Sequence, residues 1–281
     1  MSQLYEALRR LELENRRPGE VRPDPKRATE LLNSVIAEPV EIENVHSVSV
    51  DASRMPRLIA VTDPKCLGAE KFRALATRLD YLRKQRALKS LQITSSVAAE
   101  GKTFVAGNLA ATFAKHAGSR TLLIEGDLHR PMVASLFGLS ELQGISHWWQ
   151  NQDQEITTFL HRLNEMPLWL LTAGEAHNQP TSILQSARFA EVFAQLADWF
   201  DWIIVDSTPM QPIVDANLWS RLVDGTLLVV REGVAPVRAI TKGLQALDNV
   251  KLVGVVVNGA SEFEQANYRE RYYIQSHSEM A

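Results

Sequence analysis

The chain has 281 residues, 33 acidic and 30 basic side chains, a formal net charge of −3 and a 45% hydrophobic share, enough for a sizeable core in one large domain or two small ones. The near-neutral charge and dispersed cations argue against nucleic-acid binding, and the single Cys66 excludes an internal disulfide and fits a reducing cytoplasm. No run approaches the roughly 18 apolar residues of a membrane span, and the opening MSQLYEALRRLELENRR is charged throughout rather than signal-like, so a cytoplasmic chain is expected.

In chain order, residues 3–15 set Leu4, Leu8 and Leu11 on one stripe among Arg9, Arg10, Glu12 and Glu14, which predicts an amphipathic helix. Arg17–Pro25 reads as a linker, Lys26–Ala37 as a short helix, and the residues to Pro56 carry little pattern. Arg57–Thr62 (RLIAVT) reads as an entry strand, and Ala69–Arg86 as a long helix with Phe72, Leu75, Leu79 and Leu82 facing the core. Leu91–Thr94 is strand-like, Phe104–His116 helical, and Thr121–Ile124 again a strand. The stretch from Trp148 and Trp149 to Met166 reads as short helices and loops. Leu168–Thr172 is a strand, and Ser182–Trp199 is one helix with Phe189, Val192, Phe193 and Leu196 inside.

Trp202–Asp206, Gly225–Val230 and Leu252–Val257 are near-continuous apolar runs, separated by helices over Val214–Leu222 and Pro236–Leu247. Such runs suit strands covered on both faces. The expected fold is therefore α/β, a mostly parallel central sheet flanked by helices on both faces, with ligands at the carboxyl ends of the strands. The expected division is an N-terminal extension over 1–56, a catalytic domain over 57–260, and a mobile, polar tail over 261–281 with Tyr268, Tyr272 and Tyr273.

The chemistry concentrates where the first buried strand meets a helix, in ITSSVAAEGKT. A small-residue loop closing on Glu100-Gly101-Lys102-Thr103 fits a phosphate-binding loop: backbone N–H groups and the helix N-terminus face the anion, the Lys reaches the outer phosphates and the Thr hydroxyl binds Mg²⁺. Ser96 stands where the G-x-x-x-x-G-K-[ST] pattern has its first Gly. Ser96, Ala99, Glu100, Gly101, Lys102, Thr103 and Phe104 form the expected nucleotide-binding set.

Two further strands end in acids, at Glu125-Gly126-Asp127 and at Asp206. Phosphoryl transfer needs a metal bridging phosphate oxygens and a carboxylate that orients the acceptor. Asp206 is expected on the metal. Glu125 and Asp127, two apart, share a face in an extended chain, one beside the metal and one free to orient a hydroxyl. A dinucleotide site is set aside, since the chain has no G-x-G-x-x-G.

ITSSVAAEGKT, LLIEGDLHRP and IIVDSTP, in that order, resemble the Walker A, A′ and B motifs of the bacterial tyrosine kinases, P-loop autokinases of exopolysaccharide and capsule synthesis. The resemblance runs from about Arg57 through Asn258, and the tyrosine-bearing tail fits it too. It implies a P-loop NTPase fold and ATP·Mg²⁺-dependent phosphorylation of Tyr268, Tyr272 and Tyr273 in a neighbouring subunit, within cyclic oligomers. It also implies activation by a membrane chain-length-determinant protein of polysaccharide export, which would recruit the chain to the inner face of the membrane. Carried over, Lys102, Glu125 and Asp127 are catalytic, with Glu125 helping to position the tyrosine. Thr103, Asp127 and Asp206 hold Mg²⁺, and Asn258 contacts adenine as in related folds.

Ala98-Ala99 replace the family's Pro-Gly, which implies a stiffer loop of lower nucleotide affinity. Glu125 replaces Asp, Thr208 replaces Pro, and Ala76 replaces the second Arg of the family's Glu-x-x-Arg-x-x-Arg subunit-contact signature, of which Glu70 and Arg73 remain. Two rival readings are an ATPase switch like ParA or MinD, against which Val97 stands where that group carries an extra Lys, and a nucleotide-responsive scaffold of the export complex with weak or no kinase activity.

Overall fold

A buried strand leaves its backbone no water to bond with, so strands apolar on both faces must pair with neighbours and be roofed by helices on each side. The computed structural model describes residue 42 and residues 45–140, 142–175, 180–210, 214–246 and 251–260. The chain divides into units Met1–Asn44 and Val45–Ala281, and the sheet with its helices belongs to the second. The expected helices over 3–15 and 26–37 and the tail over 261–281 lie outside the described residues.

Eight strands form one sheet: β1 (His46–Val48), β2 (Ser90–Ser95), β3 (Thr121–Glu125), β4 (His161–Leu163), β5 (Leu168–Leu171), β6 (Trp202–Asp206), β7 (Gly225–Arg231) and β8 (Leu252–Asn258). Their order across the sheet is β1-β4-β5-β3-β6-β2-β7-β8. All neighbours are parallel except β4 and β5, which pair antiparallel. Every residue of β2, β3, β5 and β6 is buried, as the apolar runs required.

One face is roofed by α1 (Ile59–Thr62), α2 (Leu67–Gln85) and α3 (Lys102–Ala117). Leu58, Phe72, Leu79, Val105, Leu109 and Phe113 from this layer join Leu91, Ile93, Leu123 and Ile204 in one core. The chain continues through α4 (Val133–Leu136), α5 (Ile145–Gln150), α6 (Pro180–Leu184), α7 (Ala187–Trp199), α8 (Asp215–Leu222) and α9 (Val237–Ala246). Between α7 and α8, Trp219 meets Phe189 and Phe193 edge-on, with centroids 5.5 and 6.1 Å apart.

Three expected elements come out differently. Arg57–Thr62 is no strand: Ile59–Thr62 is a one-turn helix. Local β-propensity yields here to packing. Asn108 of α3 clamps the segment, accepting from Ala60 N at 2.9 Å and donating to the Arg57 carbonyl at 3.0 Å. The stretch before Met166 contains a strand, β4, which the antiparallel return to β5 pairs with Trp169 and Leu170. Ser182–Trp199 is two helices, because the Ser186 hydroxyl caps α7 by accepting from Phe189 N at 3.1 Å.

Candidate active site

Between β2 and α3 the chain turns through Ser96–Gly101. Ala99 at φ 65° and Gly101 at φ 95° are both left-handed, and Ala99 is the one non-glycine residue there among those described. For an L residue this costs about 1–2 kcal/mol, and left-handed residues of this kind are a feature of anion-binding backbone turns. Glycine is required at 101, where a Cβ would stand 2.2 Å from Asn258 Nδ2.

Two residues hold the loop. The buried Glu100 carboxylate accepts from Val97 N at 2.9 Å and from Arg231 N, at the end of β7, at 3.1 Å. Asn258, closing β8, donates its amide to the Glu100 carbonyl at 2.8 Å. The first intrahelical bond of α3 is Val105 N to the Gly101 carbonyl, 2.9 Å. The N–H groups before it have no acceptor in the helix and, with the helix dipole, favour a bound anion.

The carboxylates lie across the next strands. Glu125 and Asp206 are register partners on β3 and β6, so they sit side by side. Asp206 is fully buried, and burial pushes its carboxyl up to about 7, against the pull of the Thr103 hydroxyl bonded to it and of nearby Lys102. Glu125 and Asp127 push the same way. Asp206 Oδ1 is buried with no hydrogen-bond partner among the described residues. A buried carboxylate oxygen left open beside two other acids and a threonine hydroxyl fits a hard divalent cation.

Among the described residues, no group of three or more His, Cys, Asp or Glu is spaced to enclose a metal. Mg²⁺ does not need one, because it takes one or two carboxylates and completes its shell with water and phosphate oxygens.

Glu125, expected to help position the tyrosine, has its carboxylate surrounded by backbone donors. Its Oε1 accepts from Met132 N and from Val133 N, the latter at 2.6 Å, and its Oε2 accepts from Ala173 N at 3.1 Å. Burial raises its pKa while these three backbone donors lower it. Glu125 is 1% exposed, and these bonds tie it to the loop after β3. Asp127 is half-buried and accepts from Arg130 N at 3.0 Å.

Of the other expected residues, Lys102 and Thr103 are brought together with Asp206. The Phe104 ring packs on Phe72, centroids 5.8 Å apart, so only its backbone faces the loop. The Ser96 hydroxyl is buried without a partner among the described residues. Asn258 bonds the loop itself. Ala76 is 7% exposed and belongs to the core beneath α2, so this position offers no outward side chain. Tyr268, Tyr272 and Tyr273 lie outside the described residues.

Sequence reasoning missed the fastening of the loop after β3. His129 Nε2 lies 2.9 Å from buried Asp215 Oδ2, Thr181 donates to Asp215 Oδ1 at 3.0 Å, and Trp219 donates to the Gly126 carbonyl at 3.1 Å. An acid at the start of α8 was the one local sign; its partners are distant in sequence.

No protein-family model matches the chain. It is 32% identical over 219 residues to the tyrosine-protein kinase YwqD of Bacillus subtilis (strain 168), covering 77% of this chain and 92% of that one. Among solved structures, the chimerical protein CapA2B2 superposes with a TM-score of 0.70 at 26% identity, covering 78% of this chain and 94% of that one. The septum site-determining protein MinD of Pyrococcus horikoshii, solved with Mg-ADP, matches at a TM-score of 0.52 and 17% identity over 63% of this chain and 73% of its own, a likeness of fold.

Proposed function

This chain belongs to the bacterial tyrosine-protein kinases, and we propose that it passes the γ-phosphoryl group of ATP to Tyr268, Tyr272 and Tyr273 on the tail of a neighbouring copy. The observation that carries this reading is the juxtaposition, at the carboxyl ends of β2, β3 and β6, of an anion-binding loop with Lys102 and a buried, half-satisfied Asp206.

In this reading the loop N–H groups and Lys102 hold the phosphates and balance charge that builds on them during transfer. Thr103, Asp206 and Asp127 would hold Mg²⁺, directly or through water. Bound there, the ion would supply positive charge that offsets the phosphate oxygens. Asp127, half-buried and close to Asp206, would reach the ion through a water and take the phenol proton as the tyrosine oxygen bonds to phosphorus. Glu125 and Asp215 set the position of the loop that presents Asp127. Glu100 and Asn258 would hold the phosphate loop in shape through their bonds to Val97, Arg231 and the Glu100 carbonyl.

The kinase would work in a capsule or exopolysaccharide system, recruited to the membrane by an adaptor. Among the described residues no helix is long and apolar enough to cross a membrane. Full-length protein incubated with Mg²⁺ and ATP, alone and with the adaptor's cytoplasmic segment, should gain phosphate on the three tail tyrosines by mass spectrometry, and Lys102→Met should lose it. ATP turnover with no phosphotyrosine would favour the ATPase-switch reading instead.

A further inference from the structure

We propose that Tyr81, on α2, is a further phosphoacceptor, modified by a second copy of this chain. The proposal rests on the kinase reading above. Tyr81 is 63% exposed and is the one exposed Phe, Tyr or Trp among the described residues. No described residue bonds its hydroxyl or stacks on its ring. An aromatic ring normally covers apolar surface. This one leaves the core side of its helix to Phe72, Ala76 and Leu79.

Its surroundings suit a phosphate. Residues three apart on a helix are neighbours, so Arg78 and Lys84 flank Tyr81 on the exposed side, and neither makes an ion pair among the described residues. The nearby acid and third cation are already engaged. Asp80 accepts from Trp202 Nε1 at 3.2 Å, and the Arg83 guanidinium lies 5.1 Å from the Trp202 ring. A phosphotyrosine between Arg78 and Lys84 would form new charge-assisted hydrogen bonds where the unmodified phenol has no partner. The local sequence echoes the tail: Arg78-Leu79-Asp80-Tyr81 and Arg269-Glu270-Arg271-Tyr272 both carry Arg three residues before Tyr, with a carboxylate between.

The fold places the modification between copies. Asp80 touches Trp202, which opens β6, whereas the phosphate site lies at Asp206, which closes it. Four strand steps at about 3.3 Å separate those ends by about 13 Å, and α2 is packed along the intervening face. Tyr81 therefore cannot enter its own site without leaving the fold. In the step, the Tyr81 phenol oxygen bonds to the γ-phosphorus of the partner copy's ATP and the bond to the β–γ bridging oxygen breaks. ADP leaves, and the phenol proton passes to the partner's site carboxylate and then to water.

The test uses the full chain carrying Tyr268→Phe, Tyr272→Phe and Tyr273→Phe, incubated with Mg²⁺ and ATP, alone and mixed with a Lys102→Met chain carrying the same three substitutions, followed by phosphopeptide mapping. Residual phosphotyrosine should map to Tyr81 in both chains, its rate per chain should rise with protein concentration, and adding Tyr81→Phe should remove it while ATP binding stays unchanged. A tail-modified unsubstituted chain with Tyr81 unmodified, or residual phosphate confined to Tyr5, overturns the proposal and leaves the kinase reading standing. Label on Tyr81 of the active chain but never on the Lys102→Met chain overturns the two-copy route, and phosphotyrosine nowhere, on the unsubstituted chain as well, overturns both readings.

Discussion

Glu125 and Asp206 occupy the same rung of the sheet on adjacent strands, both are almost fully buried, and burial raises the pKa of both. They nonetheless have opposite surroundings. Three backbone N–H groups close on Glu125, whereas Asp206 has the Thr103 hydroxyl on one side and an open oxygen on the other. A carboxylate encircled by the protein's own donors shapes a loop; one left incomplete invites a ligand. What separates them is the path of the following chain, which wraps back over Glu125 at 132–133 and 173.

The sharpest break in that contrast is Asp206→Asn, which should abolish Mg²⁺-dependent nucleotide binding in calorimetry. Metal-free, the same carboxyl has a stability signature. Its folded pKa of about 7 exceeds the ordinary 3.8, so its share of stability is complete below about pH 4 and is lost as pH rises to about 7, by up to about 4 kcal/mol. Thermal melts of metal-free protein should therefore drop across that window, the Asp206→Asn protein should drop less, and Mg²⁺ with ATP should restore the wild type.

Glu125→Gln should act in the other direction, on the fold. The amide would place an NH₂ against a backbone N–H and lose one acceptor, costing about 1–3 kcal/mol. The melting temperature should fall while nucleotide affinity changes less than it does in Asp206→Asn. If Glu125→Gln instead left stability intact and removed phosphotransfer, Glu125 would be the acceptor-orienting group after all.

Smaller effects should come from the loop. Asn258→Ala frees the Glu100 carbonyl and should weaken nucleotide binding by about 1 kcal/mol, roughly fivefold. Ala99→Gly removes the left-handed strain and should raise the melting temperature by the equivalent of up to about 1 kcal/mol, offset in part by the added backbone freedom of glycine. A melting temperature unchanged or lowered by Ala99→Gly would mean that the alanine costs the loop little.

The phosphate loop and the central strands were legible in the sequence because their signals are local: buried strands write continuous apolar runs, and the loop writes its small residues and terminal Lys-Thr side by side. Arg57–Thr62 was not legible, because its helical turn depends on Asn108, about fifty residues away. β4 was hidden because three residues with one charge, His161–Leu163, carry no period to read. The surroundings of Glu125 were out of reach for the same reason: nothing beside it in sequence shows that Met132, Val133 and Ala173 will aim their N–H groups at it. Position 76 was visible as a departure from the family signature, but only the packing shows that it belongs to the core.

The most direct test of the site is calorimetry of the purified full-length chain titrated with ATP in the presence of Mg²⁺, alongside Lys102→Met and Asp206→Asn. A saturable heat in the wild type that disappears in both variants is the predicted result. No heat in the wild type at millimolar ATP, or an equal heat in all three proteins, would contradict the assignment of the loop and Asp206 as the nucleotide site.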